Sequence, residues 1–337
     1  MFEHYPPRPG TRIVAEDVSL APLAGCTIAV IGYGTMGSAQ ALNLARSGCR
    51  VVVGCRPASA AADRAQAAGL TVLTVPEAVA RGELVMLMLP DEVMAVVYAE
   101  EIEPNLAPDA VLGFAHGFAL AFDQIRPAPG RDCLLVAPKA QGDMLRQAHA
   151  AGGGSPGLVA VTDGGRPATW DLAAAYAKAV GCLALGGYVT TFRQECVSDQ
   201  FGEQVVLCGG VIELLKSAFD IMVAGGYGEQ NAYFECVHEL KLITDLLHRH
   251  GVDGMRGMIS GTAAYGGLTR GPRIIDEAAR ERMRGILREI EDGGFAREFL
   301  ARHKETKGLA AAEAAGNLAA CGRRMLPHLH PDTNDDR

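Results

Sequence analysis

Thr27-Ile28-Ala29-Val30-Ile31-Gly32-Tyr33-Gly34-Thr35-Met36-Gly37 decides how the first half of the 337-residue chain is read. A short apolar run of strand character leads straight into three glycines spaced G-x-G-x-x-G. A helical stretch follows over residues 38–47 and stops at Gly48, and Val51-Val52-Val53 reads as a second buried strand. Strand, glycine turn, helix, strand is the context in which this fingerprint holds a dinucleotide. The glycines allow a sharp turn and close backbone approach to the diphosphate, and the helix N-terminus meets its charge. Gly32, Tyr33, Gly34, Thr35, Met36 and Gly37 are the cofactor-binding candidates.

The alternation continues outward from this unit. Residues 84–89, 111–115, 133–137 and 158–161 are short apolar runs that suit buried strands, and 91–102 and 168–180 carry helical patterns. Such strands alternating with helices predict an α/β fold, a Rossmann-type doubly wound parallel sheet covered on both faces. Residues 1–24 read as an irregular arm. From about Phe192 helical periodicity dominates to about residue 323. The expected organisation is a dinucleotide-binding domain over 1–190 with the N-terminal arm, an all-helical domain over 191–323, and a flexible polar tail over 324–337. His328 and His330 read there as solvated, since nothing nearby completes a metal site.

Composition narrows the function classes. The formal net charge is −8 with no basic run, which argues against a nucleic-acid partner. Nine cysteines without a C-x-x-C pair read as reduced thiols of a cytoplasmic protein. No apolar run approaches the roughly 20 residues that span a bilayer, so no membrane role is expected.

After the second strand an NAD-binding unit usually carries an acid for the ribose 2′-hydroxyl. Here the segment is Gly54-Cys55-Arg56-Pro57-Ala58-Ser59, without a carboxylate. Arg56 can pair with a 2′-phosphate and Ser59 can donate to it, which favours NADPH; the bland alternative is that Arg56 faces solvent.

In the second half, Asp199 and Glu203 are four residues apart in an apolar context, and so are Glu235 and Glu239. One such pair also fits a solvated helix stripe. Two pairs on largely buried helices would repel and lose hydration, and a divalent cation resolves that conflict. Oxygen-only ligands point to Mg²⁺ rather than Zn²⁺.

Together these segments resemble the ketol-acid reductoisomerase (acetohydroxy-acid isomeroreductase) family, in its short form with one helical domain. The resemblance rests on Ile31-Gly32-Tyr33-Gly34, Ala41-Leu42-Asn43-Leu44, Leu89-Pro90-Asp91-Glu92, Ala115-His116-Gly117-Phe118, Ala137-Pro138-Lys139, Phe201-Gly202-Glu203-Gln204, Cys208-Gly209-Gly210 and Phe234-Glu235 through His238-Glu239-Leu240-Lys241. It implies a knotted helical domain, NADPH, two Mg²⁺ ions, a small keto- or hydroxy-acid substrate, and a homodimer or larger homo-oligomer. It implies Asp199 as the carboxylate bridging both metals, Glu203 and Glu235 as further ligands, and Glu239 as an acid/base and metal-linked residue, from the partner subunit in one version. Lys139 and His116 match polar residues between metals and nicotinamide. Ser260, with Ala263 beside it, and Cys208 match substrate-pocket positions. The implied reaction is alkyl migration followed by reduction of 2-acetolactate-type substrates to 2,3-dihydroxy acids, in branched-chain amino acid biosynthesis.

The departures from the family pattern cluster around the substrate and cofactor loops. Ala140-Gln141-Gly142-Asp143 replaces Gly-Pro-Gly-His, although Arg146 is kept. Met36 and Ser38-Ala39-Gln40 replace a Gln and a His-Ala-His run. Ser260-Gly261-Thr262-Ala263-Ala264-Tyr265-Gly266 replaces Ser-Asn-Thr-Ala-Glu-Tyr-Gly, and Ala61 stands where the family has a second serine. Such changes fit a paralogue that acts as an NADPH-dependent keto-acid or imine reductase, as well as ordinary divergence. On this reading simple reduction is better preserved than isomerisation. A non-catalytic cofactor-binding regulator is the third reading, and the intact carboxylates and Lys139 argue against it.

Overall fold

The computed structural model describes residues 2 and 4–330. The chain separates into two compact units, Met1–Ser198 and Asp199–Arg337.

The first unit is a nine-stranded sheet with helices on both faces. Its strands are β1 (Arg12–Ile13), β2 (Thr27–Ile31), β3 (Arg50–Gly54), β4 (Thr71–Leu73), β5 (Leu84–Leu87), β6 (Val111–Phe114), β7 (Cys133–Pro138), β8 (Gly157–Val161) and β9 (Gly187–Val189). Their order is β1-β9-β8-β7-β6-β5-β2-β3-β4. Helices α1 (Thr35–Arg46), α2 (Ala60–Ala67), α3 (Val75–Arg81) and α4 (Asp91–Val97) connect the early strands. The later ones are α5 (Phe118–Ala121), α6 (Gly142–Ala150) and α7 (Pro167–Ala179), followed by α8 (Phe192–Gly202).

Alternate side chains of the strands enter two separate cores. Ile28, Val30, Leu84, Met86, Leu134 and Val136 pack with Leu44 of α1 and Tyr176 of α7. Ala29, Ile31, Val85, Leu87, Leu112 and Phe114 pack with Val79 of α3 and Met94 of α4. Burial on both faces is why these strands lack a polar/apolar alternation. Strand β2 lies between β3 and β5, so the strand order reverses at its carboxyl end. That reversal opens a crevice where open α/β sheets bind ligands.

The sheet differs from the sequence expectation in three ways. It is not wholly parallel, since β7–β8 and β1–β9 are antiparallel. Gly157 pairs with Pro138, so α6 and its loop return the chain to the same end of the sheet instead of crossing over. The N-terminal arm supplies strand β1, and Tyr5 donates its hydroxyl hydrogen to Asp171 at 2.6 Å. Short β4 and β9, three residues each, carry too little apolar pattern to be read in advance.

The second unit is helical: α9 (Gly210–Ala224), α10 (Glu229–Tyr233), α11 (Glu239–Met258), α12 (Gly261–Ile274), α13 (Glu277–Glu291), α14 (Gly294–Arg302), α15 (Thr306–Ala314) and α16 (Asn317–Leu329). Gly251, at φ 67°, breaks α11 into two pieces. Phe219, Ala232, Tyr233 and Cys321 form a small buried core. The tail expected from residue 324 is helical as far as Leu329, with Pro327 and His328 inside α16. Residues 331–337 lie outside the described part.

Candidate functional site

The glycine turn joins β2 to α1 at the strand-order reversal. Gly32 has φ +99°, and a Cβ there would meet the Met88 carbonyl oxygen at 2.5 Å. A Cβ on Gly37 would meet the Gly32 carbonyl oxygen at 2.4 Å. By contrast, Gly34, the N-cap of α1, has open space where its Cβ would be. Two glycines therefore permit tight packing and the third leaves an unobstructed approach to the helix N-terminus, which fits a diphosphate. Thr35 and Met36 form the first turn of α1. Gly142 of α6 packs against Thr35, where a Cβ would meet its carbonyl oxygen at 2.4 Å. Arg56 is exposed in the β3–α2 loop. Ser59 N-caps α2, accepting from the Ala62 amide, and its hydroxyl hydrogen remains a donor.

A second cluster gathers at the ends of β6 and β7. Its centre is Glu195 of α8, 1 % exposed. One carboxylate oxygen accepts from the Gly117 amide at 2.8 Å and lies 3.1 Å from His116 Nδ1. The other accepts from Lys139 Nζ at 3.0 Å. Gly117 is required here, because a Cβ would run into the Phe192 carbonyl oxygen at 2.1 Å. The remaining ring nitrogen of His116 faces Cys196 Sγ at 3.9 Å, and its ring stacks on Phe118. The amide of Lys139 donates to the Pro156 carbonyl oxygen, fixing the start of that side chain.

Charges in this cluster hold one another. Burial works against a charged His116, yet hydrogen bonds to Cys196 and Glu195 and the Glu195 charge raise its pKa well above the ordinary range. Burial likewise opposes ionised Glu195, but the bond and charge of His116 and those of Lys139 hold it low. The ground state at neutral pH is thus an ionised carboxylate between two cations.

Glu195 and Cys196 are absent from the sequence expectation. The signal for Glu195 was present: it extends the four-residue spacing of Asp199 and Glu203 one turn back along α8.

The predicted metal carboxylates sit at unusual backbone. Helix α8 passes into a π-helical turn at Glu203–Leu207, and α10 passes into another at Phe234–His238. Such turns are rare and frequent at functional sites. They also correct the sequence reading, since Glu203 opens one π turn and Glu235 is the second residue of the other, so neither continues a regular α stripe. A second correction concerns burial: Asp199 is half-buried, whereas Glu203, Glu235 and Glu239 are exposed. Apolar neighbours such as Val206 and Leu207 are exposed as well, so an apolar flank did not imply a buried face. Among the described residues the two pairs do not converge into one cluster of ligand atoms. Their donor set, carboxylate oxygens only, suits a hard cation such as Mg²⁺.

Ser260 N-caps α12 by accepting from the Ala263 amide at 3.2 Å; both residues are exposed. Cys208 is exposed just beyond the Glu203–Leu207 turn.

Residues 22–186 match the model of the acetohydroxy acid isomeroreductase NADPH-binding domain. Residues 192–325 match the model of the ketol-acid reductoisomerase C-terminal domain. The chain belongs to the ketol-acid reductoisomerase family. An NADH-preferring ketol-acid reductoisomerase from an uncultured archean is 38% identical, with a TM-score of 0.89 over 94% of this chain and 98% of that one. A semialdehyde dehydrogenase NAD-binding protein from Cupriavidus necator shares the fold at 20% identity, with a TM-score of 0.59 over 79% of this chain and 99% of that one.

Membership makes the chain an NAD(P)-dependent oxidoreductase with a nicotinamide cofactor. The expected α/β fold followed by a helical domain holds. No described helix is long and apolar enough to cross a membrane.

Proposed function

We propose that this chain is a Mg²⁺-dependent, NADPH-consuming reductoisomerase that converts 2-acetolactate-type substrates into 2,3-dihydroxy acids. The observation that carries the reading is buried Glu195 holding His116 and Lys139, on the same helix as Asp199 and one turn before it. A buried carboxylate between two cations is a costly arrangement whose use is to orient them.

Asp199, Glu203, Glu235 and Glu239 would hold the two Mg²⁺ ions, which supply Lewis acidity to the substrate's carbonyl and hydroxyl oxygens. The glycine turn would hold NADPH, with Arg56 and Ser59 toward its 2′-phosphate, and the cofactor would supply hydride. Lys139, kept charged and aimed by Glu195, stabilises the alkoxide that develops in both steps. His116, held as imidazolium, adds positive charge on the same side. Glu239 carries the proton between hydroxyl and alkoxide. Ser260 and Cys208, with Ala263, border the substrate.

Two copies of the chain complete the site on this reading. The second unit exposes Ile221 (72 %), Tyr265 (66 %) and Leu268 (63 %), among other large apolar side chains, around a core of four buried residues. On this reading a second copy covers them and supplies its Glu239 to the metal carboxylates. Light scattering that finds single chains in solution would count against this.

A keto-acid or imine reductase without isomerisation is the alternative that the altered loop at 140–143 suggests. Asp143 in that loop places a negative charge that would repel a carboxylate substrate. Arg146 lies 3.8 Å from Asp143 and offsets that charge, which favours the reductoisomerase.

Asp199→Asn tests the metal assignment. Calorimetry is expected to show Mg²⁺ binding weakened at least about tenfold, because a neutral amide is a poorer ligand for a divalent cation than a carboxylate. Nucleotide binding, which depends on the glycine turn, should survive. Unchanged Mg²⁺ affinity with normal turnover would remove these carboxylates from the metal site.

A further inference from the structure

Arg64 brings a cation to the glycine turn from helix α2, outside the loop that carries Arg56. Its Nη2 donates to the Tyr33 carbonyl oxygen at 3.2 Å, joining residues 31 apart in the chain. The Tyr33 phenol is pushed up by burial and drawn back by the charges of Arg64 and Arg146, so both guanidinium groups lie near the turn. Burial also raises the Cys55 thiol, and Arg64 opposes that shift too. Arg146 has Asp143 beside it, whereas Arg64 has no carboxylate within ion-pair reach among the described residues. An uncompensated guanidinium with donors to spare at a turn built for a diphosphate is an anion-binding feature. The N-terminus of α1 supplies only about half a unit charge by itself.

We propose that Arg64 is an anchor of the dinucleotide common to NADPH and NADH. It holds the turn through Tyr33 and supplies positive charge to the phosphates that both nucleotides carry. Arg56 acts only on the additional 2′-phosphate. The inference rests on residues 32–37 being the diphosphate turn.

Titration of NADPH and NADH into the full chain by nucleotide fluorescence, without Mg²⁺ or substrate, tests this directly. The proteins compared are wild type, Arg56→Ala, Arg64→Lys and Arg64→Gln. Arg64 is exposed on α2, so its variants leave the core untouched. Gln keeps an N–H donor for the Tyr33 carbonyl but no charge, and Lys keeps the charge. The expected result is that Arg64→Gln weakens both nucleotides about tenfold while Arg64→Lys costs about threefold or less. Arg56→Ala should weaken NADPH about tenfold and leave NADH unchanged. If Arg64→Gln binds both nucleotides like wild type, the contact is a structural clamp and the proposal falls. If it loses NADPH alone, Arg64 is a second 2′-phosphate ligand and the proposal again falls. Wild type that binds neither nucleotide overturns the diphosphate-turn reading itself, and the anchor with it.

Discussion

Glu195 is the residue that holds the charged cluster of the first unit together. Its two oxygens collect three donors, and its burial leaves no water to replace any of them. Glu195→Gln keeps the shape and removes the charge between two cations. Turnover is expected to fall about 10–100-fold, the range for groups that orient reacting side chains. The lost charged hydrogen bonds should cost roughly 1.5–3 kcal/mol of stability. The pH dependence has a definite sign. Glu195 has a depressed pKa, so its contribution is present above the ordinary carboxylate value near 4.3 and lost as pH falls through the folded value. His116 has a raised pKa, so its contribution is full below its ordinary value near 6.5 and is lost as pH rises toward the folded one. The difference in melting temperature between wild type and Glu195→Gln should therefore be largest near pH 5–6 and shrink on either side. A flat difference from pH 4 to 9 would contradict the charged cluster. None of this was readable from type alone: Lys139 and His116 have ordinary surface or turn roles in most proteins, and only the fold brings them to one carboxylate.

At the scale of elements, strongly patterned segments were legible and short ones were not. Residues 28–31 and 84–87 are apolar throughout because both faces of the sheet are covered, and the glycine turn follows from the clashes that a Cβ would cause at Gly32 and Gly37. The antiparallel return of β8 was hidden, because strand direction depends on where α6 delivers the chain. The π turns at Glu203 and Glu235 were hidden too, since one extra residue per turn leaves no mark on composition. One contact that locks elements together can be tested. Asp132, just before β7, accepts from Arg166 Nε at 2.7 Å and from the Thr169 hydroxyl of α7. Burial raises its pKa, but these bonds and the Arg166 charge lower it on balance. Its contribution is thus present above the ordinary value near 3.9 and lost as pH falls through the folded pKa. Asp132→Asn should lower stability at pH 7 by about 1–2 kcal/mol, the Arg166 part being screened by solvent. That deficit should fade below about pH 4. A deficit that stays constant as pH falls from 7 to 2 would mean that packing, not charge, links β7 to α7.

For the whole molecule, the two family models cover both units and agree with an α/β domain followed by helices. Among the described residues the four predicted metal carboxylates do not form one converged set. The proposed second copy would cover the exposed apolar surface of the second unit. The loop at 140–143 bears on the substrate, because it departs from the family pattern while the carboxylates and Lys139 are intact. Isomerisation needs the migrating group held over the acceptor carbon, and a misplacement of about 1 Å costs roughly a hundredfold. The most direct measurement is the oxidation of NADPH by purified protein with 2-acetolactate and, side by side, with a simple 2-keto acid, each with Mg²⁺ and with chelator. The account predicts oxidation with 2-acetolactate that stops when Mg²⁺ is removed and yields the 2,3-dihydroxy acid. Reduction of the 2-keto acid with no turnover of 2-acetolactate, or 2-acetolactate turnover indifferent to chelator, would contradict it.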